Sequence, residues 1–389
     1  MITVMLQEFI ADLHIHIGYV GGRAVKIPSS PDLTLDNILE RSVKEGINLI
    51  GIADGASPLV RQQLRQWQRE EKLLPQRGGG LNWAGRVVVI PAAEIAAGKG
   101  EHYVAYFASL EHLEDFVRRW EEEKSRGPLS AERVLQLTAE AEGWFVPAHI
   151  FTPHKSLLGS AASSLGEVFS EDALREISSV ELGLSADTFM ADRIAELFPR
   201  SFFTNSDAHS LARLGREYNV LLLAAADFSE LRKAARGEEG RRVKANFGLN
   251  PVLGKYYRSF CRDCGSLAVI PPPVTVCPAC NSRRVDVGVR DRLELLADCD
   301  FPVHPAGRPP YCHLIPLDFF PGLGKVTRQR LLAEFGSERR VLLEADLTGI
   351  RKVAGSRLAD MLAAYRQGKL LLAPGGGGHF GRVLGISYS

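Results

Sequence analysis

Two histidines stand two residues apart in an apolar segment near the start of the chain. Residues 10–19 read IADLHIHIGY, with His14 and His16 in the middle of the run. On a β-strand, residues i and i+2 point to the same side, so both imidazoles would leave one face together. A lone histidine on such a strand is usually a satisfied core residue, but a pair that follows Asp12 is typical of metal ligands. The pattern indicates a metal site, and a structural role for the pair is the alternative.

Further polar residues fall at the ends of other apolar, strand-like runs. They are Asp54 in GIAD, Glu94 in PAAEI, His149 in VPAH, Glu181 in SVEL, Asp207 and His209 in TNSDAH, and His102 at the start of HYVAYF. Each alone is weak, because a buried polar side chain can be satisfied by the backbone. In a barrel of parallel strands, however, the carboxyl ends of the strands share one rim, where active sites are built. The set therefore predicts a cluster of metal ligands on that rim.

Imidazole and carboxylate ligands without thiolate suit Zn, Mn, Fe or Mg, and bridging carboxylates allow two or three ions to lie close together. Such clusters hydrolyse phosphate esters, because one ion activates a bound water and a neighbouring ion offsets the charge that develops on the phosphoryl group. The spacing does not distinguish a monoester from a diester. Lys155 and Arg216 lie near the same predicted rim and could clamp phosphate, with solvation at the surface as the alternative.

The elements that position these residues follow an α/β pattern as far as about residue 235. The predicted strands cover residues 8–16, 48–53, 86–95, 102–107, 144–150, 178–182, 201–206 and 218–223. The predicted helices cover residues 34–45, 58–71, 110–124, 130–142 and 186–197. The alternation of strands and helices predicts a parallel sheet with crossover helices.

The composition is that of a globular protein with more than one domain. The chain has 389 residues, of which 45% are hydrophobic, enough for two or three cores. No run of 18 apolar residues occurs, and the first residues lack the basic start and cleavage site of a signal peptide. We therefore expect no membrane contact and a cytoplasmic location.

The charged residues divide unevenly along the chain. Residues 1–230 hold 22 Lys and Arg against 32 Asp and Glu, a difference of −10, whereas residues 231–389 hold 25 against 14, a difference of +11. The asymmetry indicates an acidic catalytic part joined to a basic part that meets a polyanion. Two unrelated surfaces are the alternative.

Four of the six cysteines form two Cys-x-x-Cys pairs separated by twelve residues, namely Cys261 with Cys264 and Cys277 with Cys280. Four thiolates at this spacing predict a closed tetrahedral zinc site with a structural role. Disulfides are the alternative and would need an oxidising compartment. Cys299 and Cys312 with His313 could form another metal site, but their irregular spacing favours buried thiols.

A glycine-containing turn near the C-terminal end precedes a helix-like segment. The stretch IPLDFFPGLGKVTRQRLLAEFG places Gly322 and Gly324 before a helix that begins near Lys325, and it resembles a helix-hairpin-helix motif. Glycines let such a hairpin approach a DNA phosphate, with the amides of a helix N-terminus facing the anion. A looser copy surrounds Gly355. An ordinary pair of packed helices is the alternative for both copies.

Aromatic residues alternate with Lys and Arg in the segment VKANFGLNPVLGKYYRSFCRDCG. Lys255 and Tyr256 are therefore candidates for holding an unpaired base and the backbone beside it. The alternative is that Phe247, Tyr256 and Tyr257 pack a domain junction. The glycine run at 375–378 is either a flexible tail or a loop that lets two backbones approach.

The ordered set ADLHIH, GIAD, AAEI, EHYVAYF, PAHI and NSDAH resembles the PHP (polymerase and histidinol phosphatase) superfamily over about residues 1–235. The resemblance implies a distorted seven-stranded β/α barrel. It also implies the ligands, which are His14, His16 and Asp207 for a first ion, His102 and His149 for a second, Glu94 bridging the two, and Asp54 and His209 for a third.

The chain departs from the superfamily pattern at Asp54, because Gly55 follows it where histidine is common. This puts the third ion in question, and either Glu181 or His154 could complete a ligand shell. We assign the catalytic roles to Glu94, Asp207 and His209.

The layout of barrel, GLNPVLGKYY segment, four-cysteine site, RPPYCHLIPL and glycine hairpin resembles the endonuclease Q family over essentially the full chain. The resemblance implies a metal-dependent cut in double-stranded DNA on the 5′ side of deaminated bases (uracil, hypoxanthine, xanthine) and of abasic sites, with the lesion base flipped out of the helix. It predicts a phosphoesterase barrel at 1–238, a linker with the zinc module at 239–310, and a helix-hairpin-helix-like region with a glycine-rich tail at 311–389.

The resemblance also suggests a sliding clamp as a partner, although the C-terminus shows no clear clamp-binding peptide. Two other functions fit parts of the sequence. A small-molecule phosphatase of the histidinol phosphate type would need only the barrel and would leave the zinc module and the basic half without a purpose. A non-catalytic DNA-binding scaffold is disfavoured because the chain retains the ligands His14, His16, Glu94, Asp207 and His209.

Overall fold

The chain forms two units, which the computed structural model describes over residues 5–26 and 29–387. The first unit contains the described residues up to Gly248 together with Leu295–Cys312. The second contains Leu249–Glu294 and the described residues from His313 onward. The zinc module and the C-terminal helices thus share one unit, whereas the sequence predicts three segments.

Among the described residues, the first unit is built on nine strands, several of which end at the predicted ligand positions. They are Gln7–Ile15 (β1), Leu49–Ile52 (β2), Val87–Ala97 (β3), Glu101–Tyr106 (β4), Trp144–Pro147 (β5), Ser179–Glu181 (β6), Ser201–Phe203 (β7), Tyr218–Leu223 (β8) and Arg242–Leu249 (β9). Two short hairpins accompany them, one formed by Tyr19–Val20 and Arg23–Ala24 and one by Leu74–Pro75 and Leu81–Trp83, the latter beside β3.

The strands β1 to β7 follow one another around a distorted barrel. β1 is parallel to β2, β2 to β3 and β6 to β7, whereas β3–β4 and β4–β5 are antiparallel pairs. Main-chain contacts join the remaining neighbours: Ile150 N donates to Glu181 O at 2.8 Å, and Ile15 bridges Ala208 after β7. β8 pairs antiparallel with β1 and with β9. This is the α/β barrel that the sequence predicts.

The sheet is mixed, whereas the alternation of elements predicts an all-parallel one. Only three residues separate β3 from β4, which is too few for a crossover, so the two strands form a hairpin. The start of β4 therefore lies beside the end of β3. This arrangement brings His102 to the rim although it stands at the beginning of its strand.

In the part of the first unit that the structure describes, seven helices surround the sheet, with ends close to the predicted ones in most cases. They are Leu35–Glu45 (α1), Pro58–Arg69 (α2), Leu110–Lys124 (α3), Ala131–Glu140 (α4), Glu171–Glu176 (α5), Thr188–Ala191 (α6) and Phe228–Arg236 (α7). Capping residues define several of these ends. Thr34 accepts a hydrogen bond from Asn37 N at the start of α1, and Gly46 ends that helix at a φ of +75°.

The predicted helix at 186–197 is interrupted. Only α6 and a 3₁₀ turn at Ala195–Leu197 form, because the intervening carbonyls accept bonds from a distant segment. Asp298 N donates to Arg193 O at 2.9 Å and Val303 N donates to Asp192 O at 2.8 Å. These partners lie about a hundred residues away in sequence, so local periodicity does not reveal them.

The second half of β1, from Ala11 to Ile15, is buried on both faces. One face packs into the apolar core, and the other carries the two histidines. Ala11 and Leu13 pack into the main apolar cluster with side chains from β2 to β5 and from β7 to β9. His14 and His16 point to the opposite face and are 0% exposed. The strand therefore positions two imidazoles with the same packing that stabilises the barrel.

The second unit combines small strands with helices. Its elements include Phe260–Cys261 (β10), Val285–Asp286 (β11), Tyr311–Leu314 (β12), Leu370–Ala373 (β13), Arg382–Ile386 (β14), Val289–Leu296 (α8), Lys325–Phe335 (α9), Glu338–Leu343 (α10), Leu347–Ala354 (α11) and Ser356–Arg366 (α12), of which α8 and β12 run across the unit boundaries. β10 pairs with β11, and β13 with β14. Side chains from α9 to α12 form its apolar core.

The glycine run at 375–378 packs against the chain of the second unit. Gly375 N donates to Val252 O at 2.9 Å, and Gly376 bridges Arg258. Gly377 has a φ of +61°, and a Cβ there would lie 2.5 Å from the ring of Phe260. The run is thus the backbone-approach loop of the two predicted alternatives. None of the described helices is long and apolar enough to span a membrane.

Gly51 in β2 lies so close to β1 that the barrel has no room for a side chain. A Cβ added at Gly51 would lie 1.9 Å from Leu13 O. We expect Gly51→Ala to lower the free energy of unfolding by about 3 kcal/mol, because the backbone of β1 would have to shift. Gly166→Ala is the control, since its Cβ would meet nothing closer than 3.9 Å. Urea unfolding curves measure both, and equal stability of the two variants would contradict this account of the packing.

Candidate active site

The first group of ligands comes from the end of β1 and from the loop after β7. His16 Nε2 lies 3.2 Å and His14 Nε2 lies 3.7 Å from Asp207 Oδ1. Ligand atoms of all three residues lie within 4.8 Å of one another. Asp207 has a φ of +43°, an unfavourable conformation for a residue with a Cβ, which the surrounding structure holds in place.

The second group comes from β3, β4 and the loop after β5. Glu94 Oε1 lies 2.6 Å from His102 Nδ1 and 3.5 Å from His149 Nε2. The same carboxylate reaches the first group, with Oε1 3.6 Å from His14 Nε2 and Oε2 3.6 Å from His16 Nε2. Glu94 therefore occupies the position of a ligand shared by two ions.

Buried atoms in these groups lack the partners that buried polar atoms normally have. Within the described part of the chain, His14 Nε2 and Asp207 Oδ1 are fully buried and form no hydrogen bond. An imidazole nitrogen and a carboxylate oxygen that are buried without partners, beside the second imidazole, that of His16, fit a divalent cation. The donor set of nitrogen and oxygen atoms suits zinc, manganese or magnesium, as the sequence predicts.

The charges of the cluster shift its proton equilibria. Burial alone would raise the pKa of Glu94, but the hydrogen bond with His102 and the nearby imidazoles of His14 and His149 lower it well below its usual range. Burial would likewise raise the pKa of Asp207, but the adjacent imidazoles of His16 and His14 lower it. Burial would lower the pKa of His14, but the charges of Glu181 and Asp207 raise it well above its usual value. Both carboxylates are therefore ionised and attract cations.

Glu181 lies behind His14 and does not face the other ligands. Its Oε2 is 3.1 Å from His14 Nδ1 and accepts a hydrogen bond from Asn205 Nδ2 at 2.8 Å, while Oε1 accepts one from His149 N at 3.2 Å. Both oxygens are thus engaged. A carboxylate on the far nitrogen of a metal-binding imidazole fixes the ring and raises its basicity. The geometry favours this orienting role over the predicted role as a ligand.

Asp54 has the same relation to His16. Asp54 Oδ1 lies 3.0 Å from His16 Nδ1, and Oδ2 accepts a hydrogen bond from Ile17 N at 2.6 Å. The predicted third ion would also need His209, whose Nδ1 lies 2.9 Å from Asp207 O. Among the described residues, Asp54 and His209 belong to no group of three potential ligands around a third position. His154 lies in an exposed loop and does not join either group.

The predicted phosphate-binding residues lie in the loops of the same rim. The main-chain oxygen of Lys155 accepts a hydrogen bond from His102 N at 2.9 Å, which places this exposed lysine beside the second group. Arg216 follows Gly215, whose N–H donates to Asp12 Oδ2 at 3.0 Å. Asp12 is itself buried and accepts two further bonds from Ser206, so it holds the loop after β7 against β1.

Lys26 is a site residue that the sequence analysis does not identify. Its Nζ lies 3.0 Å from Glu94 Oε2 and 3.0 Å from His16 Nε2. It belongs to the loop after β1, about 70 residues from Glu94 in sequence, and no local pattern marks it. The only feature of the sequence that points to Lys26 is its position, ten residues after His16.

We expect Glu181→Gln to weaken metal binding about 10- to 100-fold, because both carboxylate oxygens accept hydrogen bonds and the NH2 of Gln would face one of these donors and disturb the orientation of His14. The number of bound ions should stay the same, since Glu181 is not itself a ligand in this geometry. Calorimetric titration with Mn²⁺ measures both quantities. Glu171→Gln is the matched control, because the Glu171 side chain is 92% exposed. The loss of one bound ion in Glu181→Gln would show instead that Glu181 is a ligand.

The four cysteines of the second unit converge as the sequence predicts. The Sγ atoms of Cys261 and Cys280 lie 3.6 Å apart, as do those of Cys264 and Cys277, and all four lie within 4.8 Å of one another. Hydrogen bonds with Ser266 lower the pKa of the Cys264 thiol to about 6, which favours the thiolate that zinc requires. The thiols of Cys299 and Cys312 join no such group among the described residues, and burial raises the pKa of Cys312.

We expect the purified chain to contain one tightly bound zinc ion at the cysteine site in addition to any ions in the barrel. Cys277→Ser should lose that ion, because three thiolates no longer complete the tetrahedron. Elemental analysis after gel filtration gives the count. Cys299→Ser, outside the group, should retain it; a wild-type chain purified anaerobically without this zinc would rule the site out.

The predicted DNA-binding turn before α9 is exposed, but the predicted helix-hairpin-helix around it is incomplete. Gly322, Gly324 and Lys325 are exposed at the start of α9, but a single 3₁₀ turn at Leu317–Phe319 stands where a hairpin would have its first helix. The looser copy has two complete helices, α11 and α12, joined at Gly355 with a φ of +88°.

Aromatic residues of the linker have contacts of their own. Lys255 Nζ lies 5.0 Å from the ring centre of Tyr256, a cation–π distance. Phe247 stacks on Tyr218, with ring centres 4.8 Å apart, and both residues belong to the first unit.

No family model matches the chain, but individual proteins are similar to it over nearly its whole length. An uncharacterised protein of Bacillus subtilis (strain 168), YqxK, is 41% identical over 392 residues, which are 97% of this chain and 100% of the relative. The crystal structure of the lesion-specific endonuclease PfuEndoQ from Pyrococcus furiosus matches at a TM-score of 0.80 and 32% identity, covering 97% of this chain and 95% of that one. A structure of endonuclease Q with a 27-mer duplex that has an abasic lesion at the active site matches equally, covering 97% and 96%.

The barrel, its two ligand groups and the match to a solved endonuclease define a metal-dependent endonuclease. The similarity to endonuclease Q extends over 97% of the chain, at 32% identity, and this shows the family. The chain belongs to the endonuclease Q family.

Proposed function

We propose that the chain hydrolyses DNA on the 5′ side of deaminated bases, namely uracil, hypoxanthine and xanthine, and of abasic sites. The observation that carries the proposal is the pair of ligand groups sharing Glu94, in a chain that matches an endonuclease solved with an abasic duplex over 97% of its length. A mispaired or missing base costs less to unstack than a normal one, which gives the selectivity a physical basis.

The residues of the barrel would hold two divalent ions, with His14, His16 and Asp207 on one, His102 and His149 on the other, and Glu94 on both. When bound, such ions lower the pKa of a water molecule and offset charge on the phosphoryl oxygens. Glu181 and Asp54 fix the two imidazoles from behind. Because these carboxylates are themselves held by backbone and amide donors, the ligands need little rearrangement during turnover.

His209 is suited to moving a proton in this site. Its Nδ1 can donate to Asp207 O at 2.9 Å, which leaves Nε2 as the nitrogen that accepts a proton. Burial lowers the pKa of His209, so the ring is neutral at pH 7. In our proposal it takes the proton released as water attacks the phosphodiester and returns it to the leaving oxygen as the P–O ester bond breaks, while Glu94 and Asp207 remain ionised.

Contacts with the duplex are proposed for both units. In the barrel, Lys155 and Arg216 meet phosphates beside the cut. The basic second unit contributes backbone amides and an ammonium at Gly322, Gly324 and Lys325, and a cation–aromatic pair at Lys255 and Tyr256 that can support a displaced base. A sliding clamp is proposed as a further partner on the family resemblance alone.

The decisive experiment incubates the protein with Mg²⁺ or Mn²⁺ and labelled duplexes that contain deoxyuridine, deoxyinosine, deoxyxanthosine, an abasic analogue or no lesion. We expect cuts 5′ of each lesion and none in the intact duplex. Asp207→Asn should lose at least about 100-fold in rate, because a ligand of the first ion is weakened. Asp172→Asn, at a side chain that is 92% exposed, should cut like the wild type.

Other outcomes would support the competing functions. Rapid turnover of a phosphomonoester, with no salt-dependent binding of DNA, would identify a small-molecule phosphatase. Tight DNA binding by a chain that takes up no metal in the barrel would identify a scaffold. Absence of cutting in every lesion duplex, with barrel metal confirmed by elemental analysis, would refute the proposal.

A further inference from the structure

Lys26 places an ammonium group directly on the ligands of the barrel. Its Nζ is 3.0 Å from Glu94 Oε2 and lies 3.0 and 3.3 Å from the two ring nitrogens of His16. The side chain is 32% exposed, so it reaches the cluster from the solvent side. The ammonium thus contacts the ligands while part of the side chain remains accessible to solvent.

The backbone on either side of Lys26 is attached to the rim. Val25 N donates to Gly18 O at 2.8 Å, and Ser30 N donates to His209 O at 3.3 Å. Gly18 permits this close approach, since a Cβ there would lie 2.6 Å from Ser30 O. A lysine side chain spans about 6 Å and is flexible, so from this attachment the ammonium can reach other positions on the rim.

The present contacts of Lys26 are incompatible with a loaded metal site. Glu94 Oε2 and His16 Nε2 are the atoms that would bind ions, and a cation held on them would repel the ammonium. When ions bind, Lys26 must leave these atoms while staying near the rim. The anion that it can then reach is the phosphate that those ions attract.

We propose that Lys26 is a catalytic residue that binds a non-bridging oxygen of the scissile phosphate during the reaction. With ions and substrate present, it moves to the phosphate and stabilises the charge of the transition state. The inference rests on the proposed phosphodiesterase function of this site.

The experiment compares Lys26→Met, Lys26→Arg and the wild type at saturating Mn²⁺. Lys44→Met is the matched control, because Lys44 is exposed on α1. Single-turnover cutting of an abasic duplex gives the rate of chemistry, and bis(p-nitrophenyl) phosphate gives it without DNA recognition. Calorimetric titration of each metal-free variant with Mn²⁺ supplies a measurement independent of activity.

We expect Lys26→Met to lose about 100-fold in kcat on both substrates, with KM for the duplex nearly unchanged because many other phosphate contacts remain. Lys26→Arg should recover part of this loss, and Lys26→Met should bind Mn²⁺ more tightly than the wild type, since no ammonium has to be displaced. Unchanged kcat with tighter Mn²⁺ binding would overturn the proposal and leave Lys26 as a counter-ion only.

A parallel loss of Mn²⁺ affinity and kcat in Lys26→Met would also overturn it, by showing that Lys26 positions the ligands. Failure of the proposed function gives a different result. If the wild type hydrolyses bis(p-nitrophenyl) phosphate but cuts no lesion duplex, the specificity is wrong, while the comparison of Lys26 variants on the small diester still decides the role of Lys26.

Discussion

The buried carboxylate of Glu181 is the constraint on which the barrel rim depends. It is 1% exposed and takes hydrogen-bonding partners from the end of β1 at His14, from the loop after β5 at His149 and from the segment after β7 at Asn205. A buried carboxylate without partners is costly, so these three parts of the chain must meet. Asn205 extends the link by accepting a bond from Leu13 N at 2.9 Å. The orientation of His14 follows from this arrangement.

The carboxylate of Asp54 contacts His16 Nδ1 in the same way as Glu181 contacts His14 Nδ1. The other ring nitrogen of each histidine therefore points toward Glu94 and Asp207. The centre of the rim therefore concentrates negative charge inside a protein part whose surface is already acidic. These buried carboxylates therefore require nearby positive charge. Protons on histidine and the Lys26 ammonium supply positive charge beside these carboxylates, and divalent ions would compete with both.

Sequence reasoning identifies the ligand cluster because strand periodicity has direct geometric meaning. His14 and His16 share a face for that reason, and the ends of β2, β5, β6 and β7 place their polar residues on the same rim. The direction of β4 is not visible in periodicity, and it is the short connection after β3 that brings His102 to the site. Glu181 and Asp54 show a further limit, since a sequence does not indicate which nitrogen of an imidazole a carboxylate will face.

Other features escape prediction because their partners are distant. Lys26 reaches the cluster through a loop, where no period relates a residue to its neighbours in space. The interruption after α6 depends on Asp298 and Val303. In the second unit, Pro316 and Pro321 flank the 3₁₀ turn before α9 and prevent a longer helix there, whereas the weaker glycine pattern around Gly355 forms two full helices.

The return of Leu295–Cys312 to the first unit has a consequence for biosynthesis. Arg308 from this segment pairs with the buried Asp192 at 2.9 Å and stacks 3.6 Å from the ring centre of Phe202. The barrel therefore cannot be completed on the ribosome until the chain has been translated past the cysteine module. That module emerges first and is synthesised as an insertion within the first unit, so a gene truncated after the last barrel strand would encode a first unit that lacks these contacts to Asp192 and Phe202.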